Sequence, residues 1–260
     1  MQNKASTNSS VHGFTLIELS IVIVIIGLLI GGILGGQSLI RSAALQSVIS
    51  DFNKYKAAAT QFKDQYNGLP GDLADATDYW GKDNSNCSSN TGSIGSPGTC
   101  NGNGDSMINW AAGPGVTGES MQFWKQLALA NLIGGRYTGI STVNYYSGDL
   151  GVTFPVSRIG TAGWTTAYLG TQNGHVQWFD GTYGNVLFFG KAEGYTSGVI
   201  LTPQEAWNID TKMDDGKPAI GSVRSWRHSY HANCTDVDTT AAVYSLTYTA
   251  AACALIFGLD

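Results

Sequence analysis

From Leu16 to Ile40 the chain is almost wholly apolar, reading "LIELSIVIVIIGLLIGGILGGQSLI". Within it, Leu19 to Ile40 gives 22 residues without a formal charge. As a helix at 1.5 Å per residue that is about 33 Å, close to the hydrocarbon core of a bilayer, so a membrane span is predicted. Beyond Arg41 the apolar residues thin out to Leu45, Val48, Ile49, Phe52, Tyr55, Ala59, Phe62 and Tyr66. Steps of three and four are the period of an amphipathic helix. Asn67-Gly68 and then Pro70 stop it. Together the two patterns predict one helix from Phe14 to about Tyr66, embedded in a membrane first and packed on a domain second.

The remaining pattern is shorter-ranged. Asp72 to Trp80 reads as a short helix capped by Asp72, followed by a Gly-, Ser- and Asn-rich loop from Gly81 to Gly118. Loops this long are usually functional or flexible. Glu119 to Ile133 reads as a helix stopped by Gly134-Gly135, and "WTTAYLG", "HVQWFD" and "VLFFG" read as strands between turns. Thr202-Pro203-Gln204-Glu205 is a capping box with proline at the first helical position. Tyr244, Leu246 and Tyr248 alternate as a strand would. The predicted class is α+β: a long helix against an antiparallel sheet, with extra short helices. No internal repeat is visible.

Charge and composition narrow the partners. A net charge of −5 argues against a broad basic surface for nucleic acid. Only 13% of residues are charged, and 34 are glycine, which suits a loop-rich domain with few salt-bridged helices. The four cysteines fall as Cys87 with Cys100 and Cys234 with Cys253, without zinc or redox spacing. An even count of this kind suits disulfides in an oxidising compartment, sequential pairing being the local choice among three. The apolar run is too long, and its start too poor in basic residues, for a conventional cleaved signal. Basic residues after the span (Arg41, Lys54, Lys56, Lys63) outnumber Lys4 before it and by count would keep the large domain inside. The cysteines point outward, and the reading follows them.

Two features of the span carry chemistry. Gly27–Gly31, Gly31–Gly35 and Gly32–Gly36 are overlapping G-x-x-x-G steps, which let helix backbones approach closely. Glu18 is a carboxylate near the start of a membrane segment and needs a partner or a use. Gly13-Phe14-Thr15-Leu16-Ile17-Glu18 followed by an apolar run resembles the type IV prepilin signature shared by pilins and type II secretion pseudopilins. The resemblance implies a leader over residues 1–13, cut after Gly13 by a prepilin peptidase, and N-methylation of Phe14. It implies a pilin-like fold in which residues 14–40 form the membrane half of a long helix, 41–66 its amphipathic half and 67–260 an extracytoplasmic globular domain. It further implies a single-pass protein of a bacterial inner membrane, which then enters a periplasmic or cell-surface filament. Its partners would be copies of itself, other pilin-like subunits and the inner-membrane assembly machinery. Glu18 would pair with the amine of Phe14 on a neighbouring subunit, an amine largely cationic at neutral pH. Many family members have a proline where Gly35 stands; Gly35-Gly36 would weaken the helix there without removing a donor. "LPGD", "NGNGD", "NLIGG", "NIDTKMDDGKP" and "CALIF" also look like stretches that recur in prepilin-like proteins.

In the outer domain, Asn101, Asn103 and Asp105 put oxygen ligands at alternate positions, as the start of an EF-hand loop does. Asp210, Asp214 and Asp215 form a second acidic cluster. Calcium is the candidate ion, and turn chemistry the competing account of both. No cofactor is required. His228 and His231 lack a third ligand and read as a polar surface pair, and most tryptophans as core. No nucleophile elbow, phosphate loop or HExxH is present, so the expectation is a structural protein and not an enzyme. The alternative is an adhesin-like minor pilin that binds a surface or ligand through its loop-rich outer domain.

Overall fold

A single helix, α1, runs from Leu16 to Tyr66. The computed structural model describes residues 15–83, 87, 98–110, 118–141, 149–193 and 196–259, leaving aside the Leu34 side chain. The leader, Gly13, Phe14 and most of the Gly81–Gly118 loop lie outside these residues. The chain divides after Ala43 into two units.

In the first unit every described side chain from Leu16 to Ile33 is exposed, nearly all of them apolar. That is the inverse of a soluble helix, whose apolar stripe faces a core. The segment is long and apolar enough to cross a membrane.

In the second unit the outer half of α1 buries Val48, Phe52, Tyr55, Ala59 and Phe62, the periodic positions of the sequence. Phe52 stacks on Phe257 at 4.9 Å, and Tyr55 meets Trp124 edge-on at 5.0 Å and Trp164 at 5.8 Å. Those partners come from a sheet and a second helix. The sheet has β1 (Ala162–Gln172), β2 (Gly181–Lys191), β3 (Val223–Ser225) and β4 (Leu255–Gly258), in the order β1-β2-β4-β3. All three pairings are antiparallel. The register aligns Trp164 with Phe189, Leu187 with Phe257 and Val223 with Phe257, and these residues share one core with α1. Val186, Phe188 and Ile256 pack on the opposite face with Trp178 and Trp226. Both faces of β2 are covered, which is why "VLFF" is a continuous apolar run and not an alternation.

Among the described residues three short helices complete the domain: α2 (Ala76–Trp80), α3 (Glu119–Leu129) and α4 (Pro203–Met213). The capping box at Thr202 forms fully, with Glu205 N donating to Thr202 Oγ1 and Thr202 N to the Glu205 carboxylate.

The pattern misplaced several elements. α2 starts at Ala76, with Asp75 and not Asp72 before it, because the Asp72 carboxylate is engaged elsewhere. α3 ends at Leu129, before Ile133, where Asn131 turns left-handed at φ 58°. "HVQWFD" is the turn between β1 and β2, its His175 stacked on Trp178 at 4.0 Å. Tyr244, Leu246 and Tyr248 form no strand: Tyr244 is buried, Leu246 and Tyr248 are exposed, and Leu246 N donates to Tyr244 O in a turn. The strand lies further on, in "LIFG".

Candidate functional site

At the start of α1, Thr15 is the N-cap. Its carbonyl accepts from Leu19 N at 3.2 Å, and its hydroxyl accepts from Glu18 N at 3.3 Å. In return Glu18 Oε2 accepts from Thr15 N at 2.8 Å and from Thr15 Oγ1 at 2.7 Å. This is a capping box, reciprocal bonding across three residues that satisfies donors at a helix start. The sequence set Glu18 apart for its charge; the threonine three residues before it was the signal that went unread.

Along the same helix, a Cβ added at Gly27, Gly31, Gly32, Gly35 or Gly36 would meet nothing within 4 Å. In the single chain these glycines line an open surface. Gly27, Gly31 and Gly35, four residues apart, lie along one side.

The outer domain gathers carboxylates twice. Carboxylate oxygens of Asp72, Asp105 and Glu119 lie within 4.8 Å of one another. Asp72 is the hub: Oδ1 accepts from Gly104 N at 2.7 Å and Asp105 N at 3.2 Å, and Oδ2 from Ser106 N at 2.8 Å. Glu119, in the first turn of α3, accepts from Asn103 N at 3.1 Å and Asn109 N at 2.8 Å. Burial pushes both carboxyls up, while these backbone donors pull them down. Asn101, Asn103 and Asp105 each turn a side-chain oxygen to a backbone amide. Asn101 Oδ1 accepts from Thr77 N, Asn103 Oδ1 from Asp105 N and Asp105 Oδ1 from Met107 N. The partners Asp72 and Glu119 are distant in sequence and carried no spacing signal.

Close packing fixes this arrangement. A Cβ on Gly102 would sit 2.3 Å from Asp72 backbone atoms, and one on Gly71 would sit 2.2 Å from Glu119 O, at φ 86°. "LPGD" and "NGNGD" are therefore two sides of one clasp.

The second cluster, Asp210, Asp214 and Asp215, also brings carboxylate oxygens within 4.8 Å. Asp210 is fully buried; it accepts from Tyr244 Oη at 2.8 Å and Gly216 N at 3.0 Å. Burial pushes its carboxyl up to about 7, with Asp215 and Asp214 adding to the rise. Asp214 accepts from Val223 N at 3.1 Å and from Ser222 N, tying the end of α4 to the start of β3.

Cys87 is bonded to Cys100 and Cys234 to Cys253, with Cα atoms 5.3 Å and 5.1 Å apart. Near the first, Lys125 of α3 donates to Asp83 at 2.8 Å, both side chains buried. His231 is buried and stacks on Tyr230 at 4.9 Å, so the expected surface pair of histidines is not formed. Four of the seven tryptophans (Trp124, Trp164, Trp178, Trp226) are buried.

Residues 8–34 match the prokaryotic N-terminal methylation motif. That motif, leading into a long apolar helix, is the hallmark of type IV prepilin-like proteins, and this chain carries both. No curated protein and no solved structure matches the chain significantly.

Proposed function

We propose that the chain is a structural subunit of a type IV pilus-like or type II secretion pseudopilus filament. A prepilin peptidase cuts it after Gly13, Phe14 is N-methylated, and the first half of α1 anchors it in the inner membrane. The domain from Ala44 onward faces outward, where its two disulfides persist. The observation that carries the reading is the methylation motif over residues 8–34, running into an apolar helix exposed on all sides. In the filament the glycines of α1 pack against other subunits, and Glu18 pairs with the Phe14 amine of a neighbour.

The test is filament incorporation of Glu18→Val beside wild type, in cells that contain the assembly machinery. The variant is expected to insert in the membrane and lose its leader. It is expected to leave the filament fraction by roughly a hundredfold, the order set by stranding an unpaired charge in an apolar setting. Equal incorporation of the two chains would contradict the reading.

A further inference from the structure

β3 is an edge strand of the sheet, and Arg224 is its central residue. The register sets Arg224 opposite Ile256, and directly paired residues share a face, so Arg224 lies on the face opposite α1. Its side chain is fixed there by three contacts. Nε donates to Gly221 O at 2.8 Å and Nη2 to Thr182 O at 3.1 Å. Thr182 belongs to β2, so the side chain spans β4 to make the second bond. The guanidinium carbon stands 4.2 Å from the centre of the Tyr183 ring. A long side chain held in this way has given up its rotamer freedom before any ligand arrives.

The charge it carries is not spent. Among the described residues no carboxylate lies within ion-pair distance of Arg224, and Nη1 is buried without a hydrogen bond. Asp214, beside Gly221, gives its carboxylate to Ser222 N and Val223 N. A half-buried cation that is fixed and uncompensated is costly, and an arriving anion relieves that cost.

Beside the guanidinium is a cavity of about 280 Å³. Val186, Ile256 and Tyr183 give it apolar walls, Ser222 and Arg224 polar ones, and Gly258 leaves it room. Apolar walls around one well-placed charged group are the usual lining of a small-molecule site. A guanidinium is matched to the planar carboxylate, which it can grip through two parallel bonds.

We propose that this cavity binds a small carboxylate ligand with an apolar body. Arg224 holds the charged end, and Val186 and Ile256 pack against the apolar one. Neither the membrane half of α1 nor the methylation motif enters into it, so it stands or falls apart from the filament reading.

The probe is benzoate, titrated calorimetrically into the full chain in detergent. Benzamide serves as its uncharged match, and inorganic phosphate as an anion without an apolar body. Wild type is expected to bind one benzoate per chain, with saturation by about 10 mM. Benzamide and phosphate should each bind about tenfold more weakly or worse, the order a charge-assisted hydrogen bond is worth. Arg224→Gln should weaken benzoate binding by a similar factor. That variant also gives up the bonds to Gly221 and Thr182, so Gly258→Val supplies a separate check. A Cβ at Gly258 comes no closer than 3.5 Å to Ser222 O, so valine is accommodated, keeps the guanidinium and fills the cavity. Benzoate saturation should be lost in it, while thermal unfolding in detergent stays cooperative. No saturable benzoate binding by wild type overturns the proposal. Equal binding of benzamide does so too, since only an apolar hole would remain, as does equal binding of phosphate, which would leave a bare cation. Wild-type affinity for benzoate in folded Arg224→Gln or folded Gly258→Val overturns it as well.

Discussion

At the Asp210 carboxyl, burial and two neighbouring carboxylates oppose ionisation, while Tyr244 Oη and Gly216 N favour it. Burial wins and pushes the group up to about 7. In the unfolded chain the same group titrates near 3.8. Between those values the folded chain holds a proton that the unfolded chain has released, so raising the pH removes stability across this window. Above about 7 the penalty is complete; below the unfolded value it is absent. Asp210→Asn keeps the shape and cannot ionise. Its stability relative to wild type is therefore expected to rise from pH 4 to 7, by up to roughly 1.4 kcal/mol for each pH unit. Denaturant midpoints of the full chain in detergent at several pH values would measure it. A difference that does not change with pH would contradict the assignment. His231, pushed down to about 4 by burial, works in the opposite sense and loses stability as the pH falls below its ordinary 6.5.

At the scale of elements, Asp72 joins pieces that local pattern treats separately. Its carboxylate holds the backbone of residues 104–106, while Gly71 N donates to Gln126 of α3 at 2.6 Å. Asp72→Ala strands three backbone donors, and a loss of about 3 kcal/mol or more is expected. Gly102→Ala is expected to destabilise comparably, because its Cβ would collide with Asp72 backbone. Thermal unfolding of the full chain in detergent would check both; unchanged midpoints would remove the clasp from the account.

The same elements show what the sequence made legible. The outer half of α1 was readable because Val48, Phe52, Tyr55, Ala59 and Phe62 keep one period against one core. α4 was readable because its capping box is entirely local. The Asp72 clasp was not, since Gly104 N lies 32 residues from the carboxylate that accepts it. Local alternation misled at Tyr244, which sits in an isolated antiparallel bridge to Thr235 and not in a continuous strand, while its hydroxyl donates to Asp210, 34 residues away. β3 has only three residues, too few to show a period. At the candidate site, Glu18 stood out as a charge in an apolar run, whereas Thr15 looked like any small polar residue until the reciprocal bonds paired it with Glu18.

At the scale of the whole molecule, two units divide the work between them. One is a helix whose apolar side chains face outward on every side, and the other carries a sheet covered on both faces and two disulfides. A protein of this composition is expected to be anchored, with its oxidised domain outside the cytoplasm. The methylation motif at residues 8–34 supports the proposal that the anchor is cut and modified at its start. The most direct test of that claim is the N-terminal mass of the protein purified from its own membrane. The account expects a chain that begins at N-methylated Phe14. An intact Met1, in cells with an active prepilin peptidase, would contradict it.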